Sequence, residues 1–183
     1  FLDSLQTNLE PIASQKGLKL ENAVTEEALF VQADEVRLRR VMVNLVTNAI
    51  KFTSEGKVVL SCEQDKNGKI EFSVKDTGIG LKEDEREVIF EKFRQIDYSS
   101  TREYEGIGIG LSIVKQLVEL HKGQVWVESE HKKGSVFFVS LPQSQCGSIV
   151  RSKEDKDQKL ENKKQPKKET KQTTKSKKLK KKK

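Results

Sequence analysis

The sequence predicts an α+β fold, a single antiparallel or mixed sheet covered by helices on one face. Three observations lead there. Residues 34–52, "DEVRLRRVMVNLVTNAIKF", put Leu38, Val41, Met42, Leu45, Val46 and Ala49 on one broad arc at about 100° per residue. Residues 69–76, "KIEFSVKD", alternate Ile70, Phe72 and Val74 with Glu71, Ser73 and Lys75, the period of a strand with one buried face. Strand-like segments also come in neighbouring pairs, 57–63 with 69–76 and 124–129 with 134–141, so each pair can close as a hairpin.

The remaining elements follow in chain order. Leu2, Leu5, Leu9 and Ile12 recur at helical spacing, so residues 1–16 read as the end of a connecting helix, with Pro11 counting against it. A short strand near 18–22 and a loop to residue 33 come next. Asp34 stands where the N-cap of the helix 34–52 should be. "DKNG" joins the first hairpin, and Asn67-Gly68 is a favoured composition for a tight turn. A helix with an acidic first turn is expected over 82–92, then a long polar stretch, 94–107. "GLSIVKQLVELHK" forms another helix, stopped at Gly123.

Charge divides the chain unevenly. Of 183 residues with a net charge of +7, residues 143–183 hold 16 Lys or Arg against five Asp or Glu, a net of +11. Residues 1–142 are therefore mildly acidic, at −4. Those 142 residues suit one domain with one core. The Lys-rich segment reads as a disordered, solvated extension in preference to a contact with nucleic acid, acidic lipid or an import receptor, and nuclear targeting stays open. Cys62 and Cys146 lack metal-ligand spacing, and Cys62 is in phase with Val58 and Leu60 as a small core residue. No apolar run is long enough to cross a membrane. The chain starts "FLDSL" without Met and reads as an excised segment.

Three motifs carry chemistry. Asn44, Asn48 and Lys51 share a stripe about 60° wide at the edge of the apolar arc. They suit either a polar helix surface or Mg²⁺ ligation with a phosphate counter-charge. In "DTGIG", Asp76 takes the next inward position of its strand, where a carboxylate needs a partner. A buried Arg or Lys would serve, and so would the exocyclic amine of a planar ligand brought close by Gly78 and Gly80. In "EGIGIGLSIVK", Gly106, Gly108 and Gly110 precede a helix containing Leu111, Val114, Leu117, Val118 and His121. This is either a structural hinge or an anion site of unpaired N–H groups. It fits neither the dinucleotide fingerprint nor the Walker A loop.

Taken in order, these segments resemble the ATP-binding catalytic domain of histidine protein kinases, within the superfamily that includes gyrase, MutL and the large heat-shock chaperones. "VMVNLVTNAIKFT" resembles the N box, "VKDTGIG" the G1 box, "IFEKFRQID" the F box and "GIGIGLSIVKQLVELHKG" the G2 box. "FRQIDYSSTREYEG" is similar to the lid of hybrid, phosphorelay-type kinases. The resemblance implies a two-layer α/β sandwich, a mixed sheet of about five strands with about three helices on one face. It divides the chain into 1–16, a connecting helix end; 17–142, the catalytic domain; and 143–183, the tail.

By the same resemblance, ATP and Mg²⁺ are the ligands. Asn48 would coordinate the metal with Asn44 nearby, and Lys51 would meet phosphate. Asp76 would bind the adenine amino group in a pocket shaped by Gly78 and Gly80. Phe90 and Phe93 would anchor the lid, Arg102 would steady the outer phosphates, and Gly106, Gly108, Gly110 and Leu111 would line the triphosphate. The implied function is transfer of the ATP γ-phosphoryl to a histidine outside this segment, in a two-component phosphorelay. Its partners would be a dimerisation and phosphoacceptor domain and a receiver domain, in the same parent chain or in trans. The parent is expected on the cytoplasmic side of a membrane, anchored to it or not.

Two positions depart from the family's G-G-T-G-L-G-L pattern: Glu105 replaces a Gly, and Ile107 replaces a Thr or Ser. A catalytically degenerate nucleotide-binding regulatory module is therefore the alternative, and a polyanion-binding protein dominated by its tail is the third reading. His121, in a last helical turn, and His131, in a turn, are read as packing or surface residues and not phosphoacceptors. Tyr98 and Tyr104 are read as lid packing, and Trp126 as a sheet residue.

Overall fold

A computed structural model describes residues 1–24, 29–92 and 109–144. The order of elements is α1 (Leu2–Gln15), β1 (Lys19–Asn22), α2 (Glu35–Phe52), β2 (Lys57–Gln64), β3 (Ile70–Asp76), α3 (Glu83–Val88), α4 (Gly110–Leu120), β4 (Gln124–Glu130) and β5 (Gly134–Leu141). The strands form one sheet in the order β1-β2-β3-β5-β4. β1 pairs with β2 in parallel, and every other pairing is antiparallel, so the sheet is mixed.

The strand register sorts side chains by face. Leu60 lies opposite Val74, Val74 opposite Phe137, and Phe72 opposite Val139. All of these are buried beneath the helices. α2 supplies the centre of the core: Leu38, Val41, Met42, Leu45, Val46 and Ala49 are buried as their spacing requires, together with Ile50. α4 adds Val114 and Val118, and α1 adds Leu2, Leu5, Leu9 and Ala13. The opposite face has no helix over it among the described residues. There Trp126 stacks on Phe138 with ring centroids 5.0 Å apart. Glu71 shares that side of β3, and burial followed by the nearby charges of Glu63, Asp65 and Glu128 pushes its carboxyl up.

Three local features differ from the sequence-based expectation or extend it. α1 runs through Pro11 without ending. The missing N–H is tolerated because four apolar residues of the helix are fixed in the core. α3 stops at Val88, well short of residue 92. Beyond it Ile89 is buried, and Phe90 sets its ring edge-on to Phe137 of β5 at 6.4 Å. The first hairpin closes through a three-residue loop and not a two-residue one. The Asp65 carboxylate accepts the N–H groups of Asn67 and Lys69, each at 2.8 Å, and Gly68 adopts φ +76°.

Both ends of α2 are secured. The Asp34 carboxylate accepts the Arg37 N–H at 3.0 Å, the N-cap bond expected from the sequence. At the other end the Lys16 ammonium donates to the carbonyls of Ile50 (2.9 Å) and Lys51 (2.6 Å), which are orphans of the last turn. Asp34→Ala should cost about 1 kcal/mol through the lost cap. For a domain of this size that lowers the melting temperature by about 2–4 °C, readable by calorimetric melting.

Candidate nucleotide-binding site

The end of β3 sets the site. Asp76 keeps the inward phase of Ile70, Phe72 and Val74, so its carboxylate sits on the helix side of the sheet, only 6% exposed. Among the described residues no Arg or Lys pairs with it. Backbone amides do the work instead: Oδ1 accepts the N–H of Gly78 at 2.8 Å and that of Ser135, on β5, at 3.3 Å. Burial pushes the Asp76 carboxyl up, and the amides of Gly78 and Ser135 oppose that push. Both bonds fall on one oxygen. Oδ2 receives none among the described residues, which leaves it for an incoming donor.

The turn after Asp76 is packed too closely for larger residues. A Cβ at Gly78 would strike the Phe52 carbonyl and lie 2.9 Å from Asp76 Oδ1. That same carbonyl accepts the Ile79 N–H at 3.2 Å, tying the turn to the end of α2. Gly80 has φ +62°, and a Cβ there would strike the Glu130 carbonyl. Thr77 Oγ1 accepts the Lys57 N–H at 3.1 Å and joins the turn to β2. Sequence reasoning did not single out Thr77, or the Ser135 amide. A backbone donor from a strand nearly sixty residues away leaves no side-chain signature.

The asparagine stripe meets the start of α4. Asn44 and Asn48 are half-buried, and Asn44 donates through Nδ2 to the Arg40 carbonyl at 3.0 Å. Its Oδ1 faces Gly110, where an added Cβ would lie only 3.2 Å away. Asn48, one turn further on, makes no side-chain hydrogen bond among the described residues. The Lys51 ammonium lies 5.3 Å from the centre of the Phe52 ring. At the first turn of α4, Ile109 supplies no side-chain cap, and among the described residues no side chain caps the leading amides. Leu111 packs its side chain against the core, so only its backbone is offered to a ligand.

The structure thus brings together Asn44, Asn48 and Gly110, and separately Asp76, Gly78 and Gly80. Phe93, Arg102, Gly106 and Gly108 lie outside the described residues, as do Tyr98, Tyr104, Glu105 and Ile107. The half-buried carboxamide of Asn48 suits Mg²⁺, which takes hard oxygen ligands and keeps several waters. His131 is exposed in a turn, and His121 is engaged in a contact between helices. Neither stands in a helical hairpin.

Residues 33–145 match the family described as "Histidine kinase-, DNA gyrase B-, and HSP90-like ATPase". The chain belongs to this family. "Autoinducer 2 sensor kinase/phosphatase LuxQ" of Vibrio vulnificus (strain CMCP6) is 43% identical over 148 residues, which cover 77% of this chain and 17% of the relative. The chain therefore spans less than a fifth of LuxQ. The crystal structure of full-length ShkA in complex with AMPPNP matches with a TM-score of 0.71 at 36% identity, covering 78% of this chain and 29% of that one. The histidine kinase ThkA, solved in complex with the response regulator protein TrrA, matches with a TM-score of 0.64 at 29% identity, covering 78% and 39%. The mixed five-stranded sheet and its helices are thus matched in these histidine kinase structures.

Proposed function

We propose that residues 17–142 bind ATP with Mg²⁺ and present its γ-phosphoryl to a histidine outside this segment. The observation that carries this reading is Asp76. It is a buried carboxylate with no basic partner among the described residues, and its one bonded oxygen is held by backbone amides. Such a group gains when its remaining oxygen meets a donor, and the adenine amino group is one.

The roles proposed here are those that the family resemblance implies, and the geometry at Asp76 and Asn44 supports them. Asp76 Oδ2 accepts the adenine N–H, while Gly78 lets the purine approach the backbone. Asn48, with Asn44 beside it, would hold Mg²⁺, and the metal would supply charge neutralisation for the phosphates. Lys51, in the last turn of α2, adds a positive charge for the phosphates, and the leading amides of α4 receive phosphate oxygens. In transfer, the bond between the γ-phosphorus and its bridging oxygen breaks as a bond from the acceptor imidazole nitrogen forms. ADP leaves with the electron pair, and the imidazole gives up its proton. The chain's contribution is positioning and charge neutralisation, the main demands of phosphoryl transfer.

The similarity to LuxQ and ThkA supports a phosphoacceptor domain and a receiver as partners, in the same parent or in trans. Among the described residues no helix is long and apolar enough to cross a membrane. We read residues 1–16 as the end of a connecting helix, and residues 143–183 as a Lys-rich extension.

The test is binding followed by transfer. Mg²⁺-ATP at about 100 times its Kd should add about 2.7 kcal/mol of stability and raise the melting temperature by several degrees. Asn48→Ala should weaken Mg²⁺-ATP about tenfold, roughly one charge-assisted contact, and leave metal-free binding unchanged. Supplying a histidine-bearing dimerisation hairpin should then yield labelled phosphohistidine from γ-labelled ATP. Protection without transfer would favour a regulatory nucleotide-binding module, to which Glu105 and Ile107 already point.

A further inference from the structure

We propose that His121 is a positioning residue for the nucleotide site, holding the start of α4 against the Asn44–Asn48 stripe from the far end of both helices. The inference rests on the nucleotide reading above. His121 Nε2 accepts the backbone N–H of Asp34 at 3.0 Å, across 87 residues of sequence. Its Nδ1 lies 2.7 Å from the Leu117 carbonyl. The Asp34 amide can only donate, and the Leu117 carbonyl can only accept. The imidazole is therefore fixed as the neutral tautomer with the proton on Nδ1, and both ring nitrogens are in use.

These contacts stand at the opposite end of the helix pair from the asparagines. From Asp34 to Asn44 is ten residues, and from Gly110 to His121 is eleven, about 15 and 17 Å of helix at 1.5 Å per residue. The matching lengths mean that α2 and α4 run side by side in opposite directions. The imidazole on Asp34 fixes their register at one end, and at the other Gly110 passes close enough to the Asn44 carboxamide that an added Cβ would lie 3.2 Å from its Oδ1. The His121 end is firm. The Gly123 N–H returns to the Val118 carbonyl at 3.0 Å and the Lys122 N–H to Glu119 at 2.9 Å, where the chain turns into β4. The Asp34 end is firm as well, since the Gln32 N–H donates to the Pro142 carbonyl at 3.0 Å.

A helix is stiff along its axis, so a slip at His121 arrives undiminished at Gly110. The amides there are meant for phosphate, and a displacement on the order of 1 Å is enough to weaken such contacts. The adenine end is exempt, because Asp76 is held by β3 and β5 and not by α4. His121 should therefore govern the phosphate half of recognition and not the base half.

The experiment compares wild type with His121→Gln, His121→Asn and His121→Ala, measuring Mg²⁺-ATP by calorimetry and adenosine by ligand-observed NMR at temperatures where each is folded. A Gln side chain reaches as many bonds from the backbone as Nε2 and keeps an acceptor for Asp34. Asn reaches only the Nδ1 position. His121→Asn and His121→Ala should weaken Mg²⁺-ATP about fivefold with adenosine unchanged, and His121→Gln should recover most of the loss. Equal weakening of both ligands, or equal behaviour of Gln and Asn, would overturn the proposal. So would a folded His121→Ala with wild-type affinity. Should His121→Ala not fold, the Gln and Asn pair still decides. A folded wild type that takes up neither ligand would defeat the nucleotide reading itself, and this inference with it.

Discussion

An Asp76→Asn protein should fold as well as the wild type and lose most of its affinity for ATP. The amide is the same size, and its Oδ1 can still accept from Gly78 and Ser135, so the turn after β3 keeps its geometry. At the second position an acceptor becomes an NH₂ group, which then meets the adenine amine donor to donor. Leaving a buried donor pair unsatisfied costs about 1.5–3 kcal/mol, or roughly 10- to 100-fold in Kd. Stability should move the other way. The Asp76 carboxyl is pushed above its ordinary value of 3.8 by burial, with the Gly78 and Ser135 amides in opposition. The folded protein therefore holds that proton more tightly than the unfolded chain does. The stabilisation is complete below the ordinary value and is lost as pH rises through the raised one. At neutral pH the wild type carries an ionised, poorly hydrated carboxylate, and the amide does not. The melting temperature of Asp76→Asn relative to wild type should rise from acid toward neutral pH. A difference that stays flat across that range, or falls, would show that the carboxylate is not held at a cost.

Gly80→Ala should be among the most damaging single-methyl additions in the domain. The new Cβ meets two penalties at once. φ +62° is a left-handed conformation that costs a non-glycine residue about 1 kcal/mol. The methyl also strikes the Glu130 carbonyl, with the Gly134 carbonyl 3.1 Å away. Both obstacles are backbone atoms of the β4–β5 turn, and they cannot swing aside as a side chain would. The Lys132 N–H donates to the Ile79 carbonyl at 2.7 Å, so the turn is bound to the very segment that would have to move. Overpacking adds about 1–3 kcal/mol. The sum, about 2–4 kcal/mol, predicts a melting temperature lower by about 5–15 °C. Because the same segment frames Asp76, nucleotide affinity should fall even where the protein stays folded. A loss of only a degree or two would mean that the turn relaxes freely.

What the sequence discloses and what it withholds divide along a physical line. Periodicity gave α2 its buried residues and gave β3 its inward carboxylate, because both depend only on how side chains repeat along one element. The Asn67-Gly68 pair located the hairpin but not its loop length. That is decided by the Asp65 carboxylate closing over the amides of Asn67 and Lys69. The end of α3 was hidden because it is set by where Phe90 meets Phe137, a contact made across the fold. The partner of Asp76 was hidden for a related reason. An Arg or Lys would have been visible as a candidate, but the backbone amide of Ser135 becomes a donor only once β5 lies beside β3. His121 could be read as a packing residue, yet its acceptor role toward Asp34 exists only when α2 and α4 run in opposite directions.

The Asp76 end of the site belongs to the sheet, and the Asn44–Gly110 end belongs to the helices lying on it. A molecule that grips both ends is a rivet through two plates. Slackening either plate loosens the rivet, and seating the rivet draws the plates together. Nucleotide occupancy and the coherence of the two layers are then linked, so a partner that pries at the helices would loosen the phosphates while the base keeps its place on the sheet.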